Sequence, residues 1–167
     1  MESKLSIFAN PHTSNLILAI TNFTSVFPFA LSLKFGDWLT AGVIFSVNMA
    51  SVVSHLAERF FGLDGILNVS QNAWIQLNNV DRVCAWTTGL RFGYLYYQKH
   101  GLSLNPVKKH PWDFVLMLIP FIFGGISILA KYSGYEHIYV FTHAIWHIGI
   151  YLSMYHFLNT FVYGLNK

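Results

Sequence analysis

An all-α, polytopic integral membrane bundle is the fold class this sequence predicts, on three observations. Of its 167 residues, 54% are hydrophobic and only 10% charged, with mean hydropathy +0.45, whereas a soluble domain carries about a quarter charged residues. Apolar stretches of about 20 residues, the length that crosses a hydrocarbon core, recur along the chain. Between them stand Gly, Pro and Asp turn signals and clusters of Trp and Tyr suited to a membrane interface.

The elements follow in order. Residues 1–13 are short and polar, without a basic stretch leading to a small-residue cleavage site, so the first apolar segment is expected to be a retained span. That span covers about 14–33, with Pro28 as a kink. Lys34-Phe35-Gly36-Asp37 is a tight turn in which Asp37 is suited to cap the next helix. Span two is expected over about 38–61, and Asp64-Gly65 marks a turn in the loop that follows. Span three, about 74–97, holds Asn78, Asn79, Asp81, Arg82 and Arg91. Trp74 at one end and Tyr94, Tyr96 and Tyr97 at the other form its aromatic belts, and Arg91 snorkels toward the tyrosines. A polar, basic loop over 98–111 leads to span four, about 112–130, with Pro120 inside it. A connector with Gly134 leads to span five, about 138–162. The chain shows no internal repeat, low-complexity tract or dividing linker, so residues 1–167 read as one transmembrane domain of about five helices.

Composition also excludes function classes. Net charge is +3, but the basic residues are scattered singly or in pairs such as Lys108-Lys109, too thinly for a nucleic-acid surface. The single cysteine, Cys84, excludes an internal disulfide and any cysteine-based metal motif.

The chemistry concentrates on Thr142-His143-Ala144-Ile145-Trp146-His147. On a helix, residues four apart look the same way from adjacent turns, so His143 and His147 can grip one metal ion. His55, near the end of span two, and Asp81, about two turns into span three, fall on the same membrane side and at about 10 Å depth if the spans have these bounds. Three neutral imidazoles leave a tetrahedral zinc with one open position, the arrangement of a catalytic site, and a water there is a usable nucleophile near neutral pH. Asp81 suits either taking that water's proton or orienting a ligand imidazole. Ser51, one turn from His55 on the same face, could bond the water or a developing oxyanion.

Ser51-x3-His55, an Asp in the next span (Asp81) and His143-x3-His147 in the last resemble the signature of the superfamily of alkaline ceramidases, progestin and adiponectin receptors, and myomaker-type proteins. The resemblance implies that His55, His143 and His147 bind Zn2+ while Asp81 and Ser51 contact the zinc-bound water. It implies hydrolysis of a lipid amide, a sphingolipid or other acyl amide of the membrane, as in the ceramidases. It equally implies a non-enzymatic receptor- or fusion-related role with zinc as a structural staple. About 26 residues separate His55 from Asp81, closer to the receptor and myomaker arrangement than to the ceramidases. Family members have seven spans and this chain has room for about five; parity, and so the sidedness of the site, is unchanged.

Other readings are weaker. Haem needs ligands on opposite sides of its ring, which two histidines on one helix face suit poorly. An ion or proton transporter would want polar residues through both leaflets, and here they crowd one side. Glu58 and Arg59 read as a solvated pair at the membrane edge. His156, about 180° round the helix from His147, should point elsewhere. The count of Lys and Arg favours the side away from the site, which places the site on the lumenal or extracellular face by the positive-inside rule. Asn68-Val69-Ser70 is a glycosylation sequon on that face.

Overall fold

The computed structural model describes residues 10–60 and 62–164, so Phe61, the expected limit of span two, lies outside the described residues. Helix α1 (Pro11–Thr21) starts where Asn10 accepts hydrogen bonds from the backbone N–H groups of His12 and Thr13, with Pro11 at the first helical position. A 3-10 segment, Asn22–Ser25, joins it to α2 (Val26–Lys34). The irregularity thus precedes Pro28: a proline lacks the N–H that would bond the carbonyl four residues back, here Thr24, and its ring crowds that carbonyl. Asp37 caps α3 (Trp38–Leu56) as expected, accepting from the Thr40 N–H at 3.0 Å.

Helix α3 stops at Leu56, short of the expected 61, and His55 sits in its last turn, at the near limit of the turn or two expected. Helix α4 is longer than expected, Gln71–His100, and the loop after it contains a short helix, α5 (Asn105–Lys109). Helix α6 spans Pro111–Tyr132 and carries Pro120 inside it. Helix α7 spans Glu136–Phe157 and continues as a π turn, Leu158–Val162. Among the described residues no β-strand forms.

Among the described residues, three helical stretches are long and apolar enough to cross a membrane: Pro11–Lys34, Trp38–Leu56 and Pro111–Tyr132. Their outer faces are apolar; Trp112, Leu116, Phe121, Ile122 and Leu129 of α6, for example, are all exposed. Helices α1 and α2 lie between α3 and α7, with α4 outside α3 and α6 outside α7.

Two devices hold these layers together. Along α6, Met117, Pro120, Gly124, Ser127 and Ala130 form one buried stripe against α7. A Cβ on Gly124 would come within 2.9 Å of the Trp146 ring, and one on Gly149 within 2.8 Å of Pro120 Cγ, so the absence of side chains lets the helices approach. At one end of the bundle, Arg91 of α4 bonds both Asp37 Oδ1 and Thr40 Oγ1 at 2.9 Å, while Tyr163 donates to Asp37 Oδ2 at 3.2 Å. Arg91 is therefore pinned to the α2–α3 turn, where snorkelling toward the tyrosines was expected, although its guanidinium still lies 5.8 Å from the Tyr94 ring.

Burial raises the Asp37 carboxyl, but the Thr40 hydrogen bonds and the Arg91 guanidinium outweigh it and hold the group below its ordinary value of 3.8. A lowered folded pKa stabilises above the unfolded value and is lost as pH falls through the folded one. Arg91→Gln should therefore cost about 2 kcal/mol at pH 7, with the gap to the parent closing below about pH 4, read as thermal midpoints in detergent. Gly149→Ala should cost about 1–3 kcal/mol by overpacking, whereas Gly125→Ala, with nothing within 4 Å of the new Cβ, should be neutral or mildly stabilising in the same assay.

Candidate metal centre

At the end of the bundle opposite Asp37, His55 of α3 meets His143 and His147 of α7. Ring centroids lie 5.0 Å apart for His55 and His143, 4.9 Å for His55 and His147, and 4.6 Å for His143 and His147. One ligand atom from each falls within 4.8 Å of the others, and together they could hold a metal ion. Nitrogens about 3.3 Å apart surround a tetrahedral ion at ordinary metal–nitrogen distances, so the rings would close by up to about 1.5 Å around one.

The partners of the three rings decide which nitrogen faces inward. Glu58 Oε2 lies 2.7 Å from His55 Nδ1, and a carboxylate only accepts, so that Nδ1 carries the proton. Ser127 Oγ donates to the Gly124 carbonyl at 2.7 Å, which leaves it to accept from His143 Nδ1 at 3.1 Å. Thr21 Oγ1 likewise donates to the Leu18 carbonyl at 3.0 Å and faces His147 Nδ1 at 3.1 Å. Asn22 Nδ2, 3.2 Å from that same nitrogen, donates to Leu18 O at 2.8 Å. His55 and His143 are thereby assigned the tautomer with a lone pair on Nε2, while His147 Nδ1 faces both the Thr21 hydroxyl, to which it can donate, and the Asn22 amide, from which it can only accept. The Nε2 atoms of His55 and His147 are buried without a hydrogen-bond partner. A buried nitrogen left unpaired is costly unless something binds it, and outer hydrogen bonds to Nδ1 are how metal-ligating histidines are oriented.

Around this cluster the sequence-predicted residues fall as follows. Ser51 is buried one turn below His55. Asp81, on α4, lies near enough to Ser51 and His55 to feel both. His156 points away, as expected, with its Nε2 3.1 Å from Asp113.

Glu58 corrects the sequence reading. It is only 3% exposed, and its carboxylate gathers His55, Lys131 and the Tyr139 hydroxyl, the last at 2.9 and 3.1 Å. Arg59 pairs with Asp64 at 2.7 Å instead. The chain turns inward directly after α3, so a residue three positions beyond His55 lies against α7 rather than in solvent. Asn15 of α1 secures that turn, donating to the carbonyls of His55 at 2.5 Å and Glu58 at 2.8 Å. Gly65 closes over the same turn: a Cβ there would lie 2.7 Å from backbone atoms of Leu56, Ala57 and Glu58.

Over 151 residues, 89% of this chain and 99% of the relative's length, the sequence is 39% identical to Uncharacterized protein L282 of Acanthamoeba polyphaga mimivirus. The chain belongs to that protein's family. No protein-family model matches it, and no solved structure does.

Thr21, Asn22, Glu58, Ser127 and Tyr139 are the site residues that sequence reasoning missed. Two signals were present: His55-x2-Glu58 places a carboxylate one turn beyond a ligand, and the polar run Thr21-Asn22-Phe23-Thr24-Ser25 interrupts an otherwise apolar span. Nothing in the sequence distinguishes Ser127 from a packing serine. Glu58→Gln should weaken metal affinity about 10–100-fold by removing the charge that makes His55 the better ligand, measured as a binding isotherm on the metal-stripped protein.

Proposed function

We propose that the chain is a zinc-dependent intramembrane hydrolase of a lipid amide. The observation that carries this reading is the pair of buried, unpartnered Nε2 atoms on His55 and His147 beside His143, with Asp81 and Ser51 adjoining. Three neutral nitrogen donors suit zinc and leave a position for substrate or water. When bound, zinc would supply Lewis acidity and an acidified water as nucleophile. His55, His143 and His147 hold the ion, and Glu58, Ser127 and Thr21 hold the rings. Asp81 accepts the proton that the attacking water gives up as its oxygen adds to the amide carbonyl carbon. That proton then passes to the departing nitrogen as the C–N bond breaks, giving a carboxylic acid and an amine. Ser51 orients Asp81 and can turn its hydroxyl to the carbonyl oxygen as negative charge develops there.

In this reading the five long helical stretches all cross the bilayer. Helices α4 and α7 fall short in hydropathy because they carry more polar residues, Asp81 and Arg91 among them on α4 and His143, His147 and His156 on α7. Resemblance to the ceramidase and adiponectin-receptor superfamily supports a sphingolipid or other acyl amide as substrate, and the distribution of basic residues supports a lumenal or extracellular site. A second reading keeps the same zinc as a non-enzymatic staple in a receptor- or fusion-related protein. It is favoured by the three elements the histidine cluster ties together: α3, α7 and the α1–α2 break. The charged side chains gather at the two ends of the bundle and the mid-bundle polar groups, Asn22, Asn48 and Tyr151, are neutral, which leaves ion transport the weakest option.

Metal content of the detergent-purified protein separates these readings. The expected result is about one zinc per chain in the parent, lost in His143→Ala and retained in Asp81→Ala, with hydrolysis of a ceramide-like amide abolished in both. Zinc without turnover of any lipid amide would leave the staple; a well-folded parent without stoichiometric metal would sink both.

A further inference from the structure

The opposite end of the bundle holds a pocket of about 690 Å³ between the end of α4, α5 and the π turn that follows α7. Four basic side chains line it, Lys99, His100, Lys109 and His110, together with Ser103 and Tyr163, and no Asp or Glu is among its described lining residues. Its position is fixed by the hydrogen bond from Tyr163 to Asp37, at the start of α3; His55 lies at the other end of that 19-residue helix, about 28 Å away. Nothing in the metal centre uses these residues.

Part of this basic cluster is structural. Lys99 donates to the Val162 carbonyl, and His100 Nε2 lies 2.7 Å from the Phe161 carbonyl, so both secure the end of the π turn. An ammonium has three donors, however, and Lys99 spends one there. Lys109 and His110 approach from the other wall, on and just after α5, where His110 Nδ1 is backed by Asp113 at 3.2 Å. Tyr96 donates to the Ser103 carbonyl at 2.7 Å and fixes the loop between the two walls.

The surroundings identify the occupant. Leu102 and Leu104, flanking Ser103, are 90% and 63% exposed, and Trp112 beside His110 is 78% exposed. Exposed apolar and aromatic residues one or two positions along the chain from the lining residues of a cationic pocket, at the end of a bundle, match the depth where headgroup meets acyl chain. A free anion has no use for that apolar border. We infer that this pocket is a binding site for an anionic phospholipid, its phosphate held by Lys99 and Lys109 and its acyl chains lying along Leu102, Leu104 and Trp112. The inference rests on the membrane-spanning reading of the chain and not on zinc or hydrolysis, so it stands or falls apart from the metal centre.

The test uses the full chain in a nonionic detergent and fluorescent short-chain phosphatidylglycerol, against phosphatidylcholine of the same chain length and inorganic phosphate as competitor. Saturable binding with at least about a tenfold preference for phosphatidylglycerol is expected, together with about a fivefold loss in Lys109→Gln and no displacement by millimolar phosphate. Equal binding of the two lipids overturns the inference. So does a preference unchanged in Lys109→Gln, with an unaltered thermal midpoint showing that the variant is folded. Displacement by phosphate overturns the lipid headgroup as ligand and leaves a site for a soluble anion.

Discussion

The rest of the metal end depends on one buried carboxylate. Glu58 has no solvent to stabilise its charge, so its oxygens must be met by protein donors, and those come from three directions: the His55 ring beside it, Lys131 at the end of α6 and Tyr139 at the start of α7. Satisfying that charge therefore fixes the relative positions of α3, α6 and α7. Lys131 extends the linkage further, since its ammonium also lies 4.7 Å from the Tyr139 ring and 5.5 Å from the Trp74 ring at the start of α4. Orientation of the His55 ring is a by-product of solving the burial problem.

Much of this was legible in the sequence. The His143-x3-His147 pair, His55 and Asp81 were placed by helical spacing and by sidedness alone, and the structure brings the three histidines together. Depth was less well read, because the end of α3 was set by where the apolar run fades and not by where the chain turns. Phe60 is buried beyond the helix end, so hydrophobicity continues past Leu56 although the helix does not. The same error put Glu58 in water: a charged residue at the edge of an apolar run is ordinarily solvated, and only the tertiary turn over Asn15 and Gly65 makes it otherwise. Residues such as Ser127 and Thr21 look like helix-packing hydroxyls in any sequence and gain their role from the ring they face.

The two ends of the bundle solve the same problem by different means. At the metal end, imidazoles and one carboxylate are packed so tightly that ring nitrogens are left without hydrogen-bond partners. At the other, Asp37 and Arg91 are only partly buried and share hydrogen bonds with Thr40 and Tyr163. Between them the helices meet through small residues and apolar side chains, as in α6 against α7. Charged side chains thus gather at the ends, while the polar contacts at mid-bundle are neutral: Asn48 donates to the Asn22 carbonyl and Tyr151 to Asn22 Oδ1, each at 3.2 Å.

The break at Asn22–Ser25 constrains how the family's chain length can change. Asn15 holds the last carbonyls of α3, and Thr21, about two turns later on the same helix, faces His147. Inserting or deleting one residue between them would rotate one contact about 100° against the other, so that only one could survive. An indel upstream of Asn15 leaves both contacts in phase. Natural length variation in the first helix should accordingly gather before Asn15, with residues 15–22 behaving as a ruler whose length cannot change.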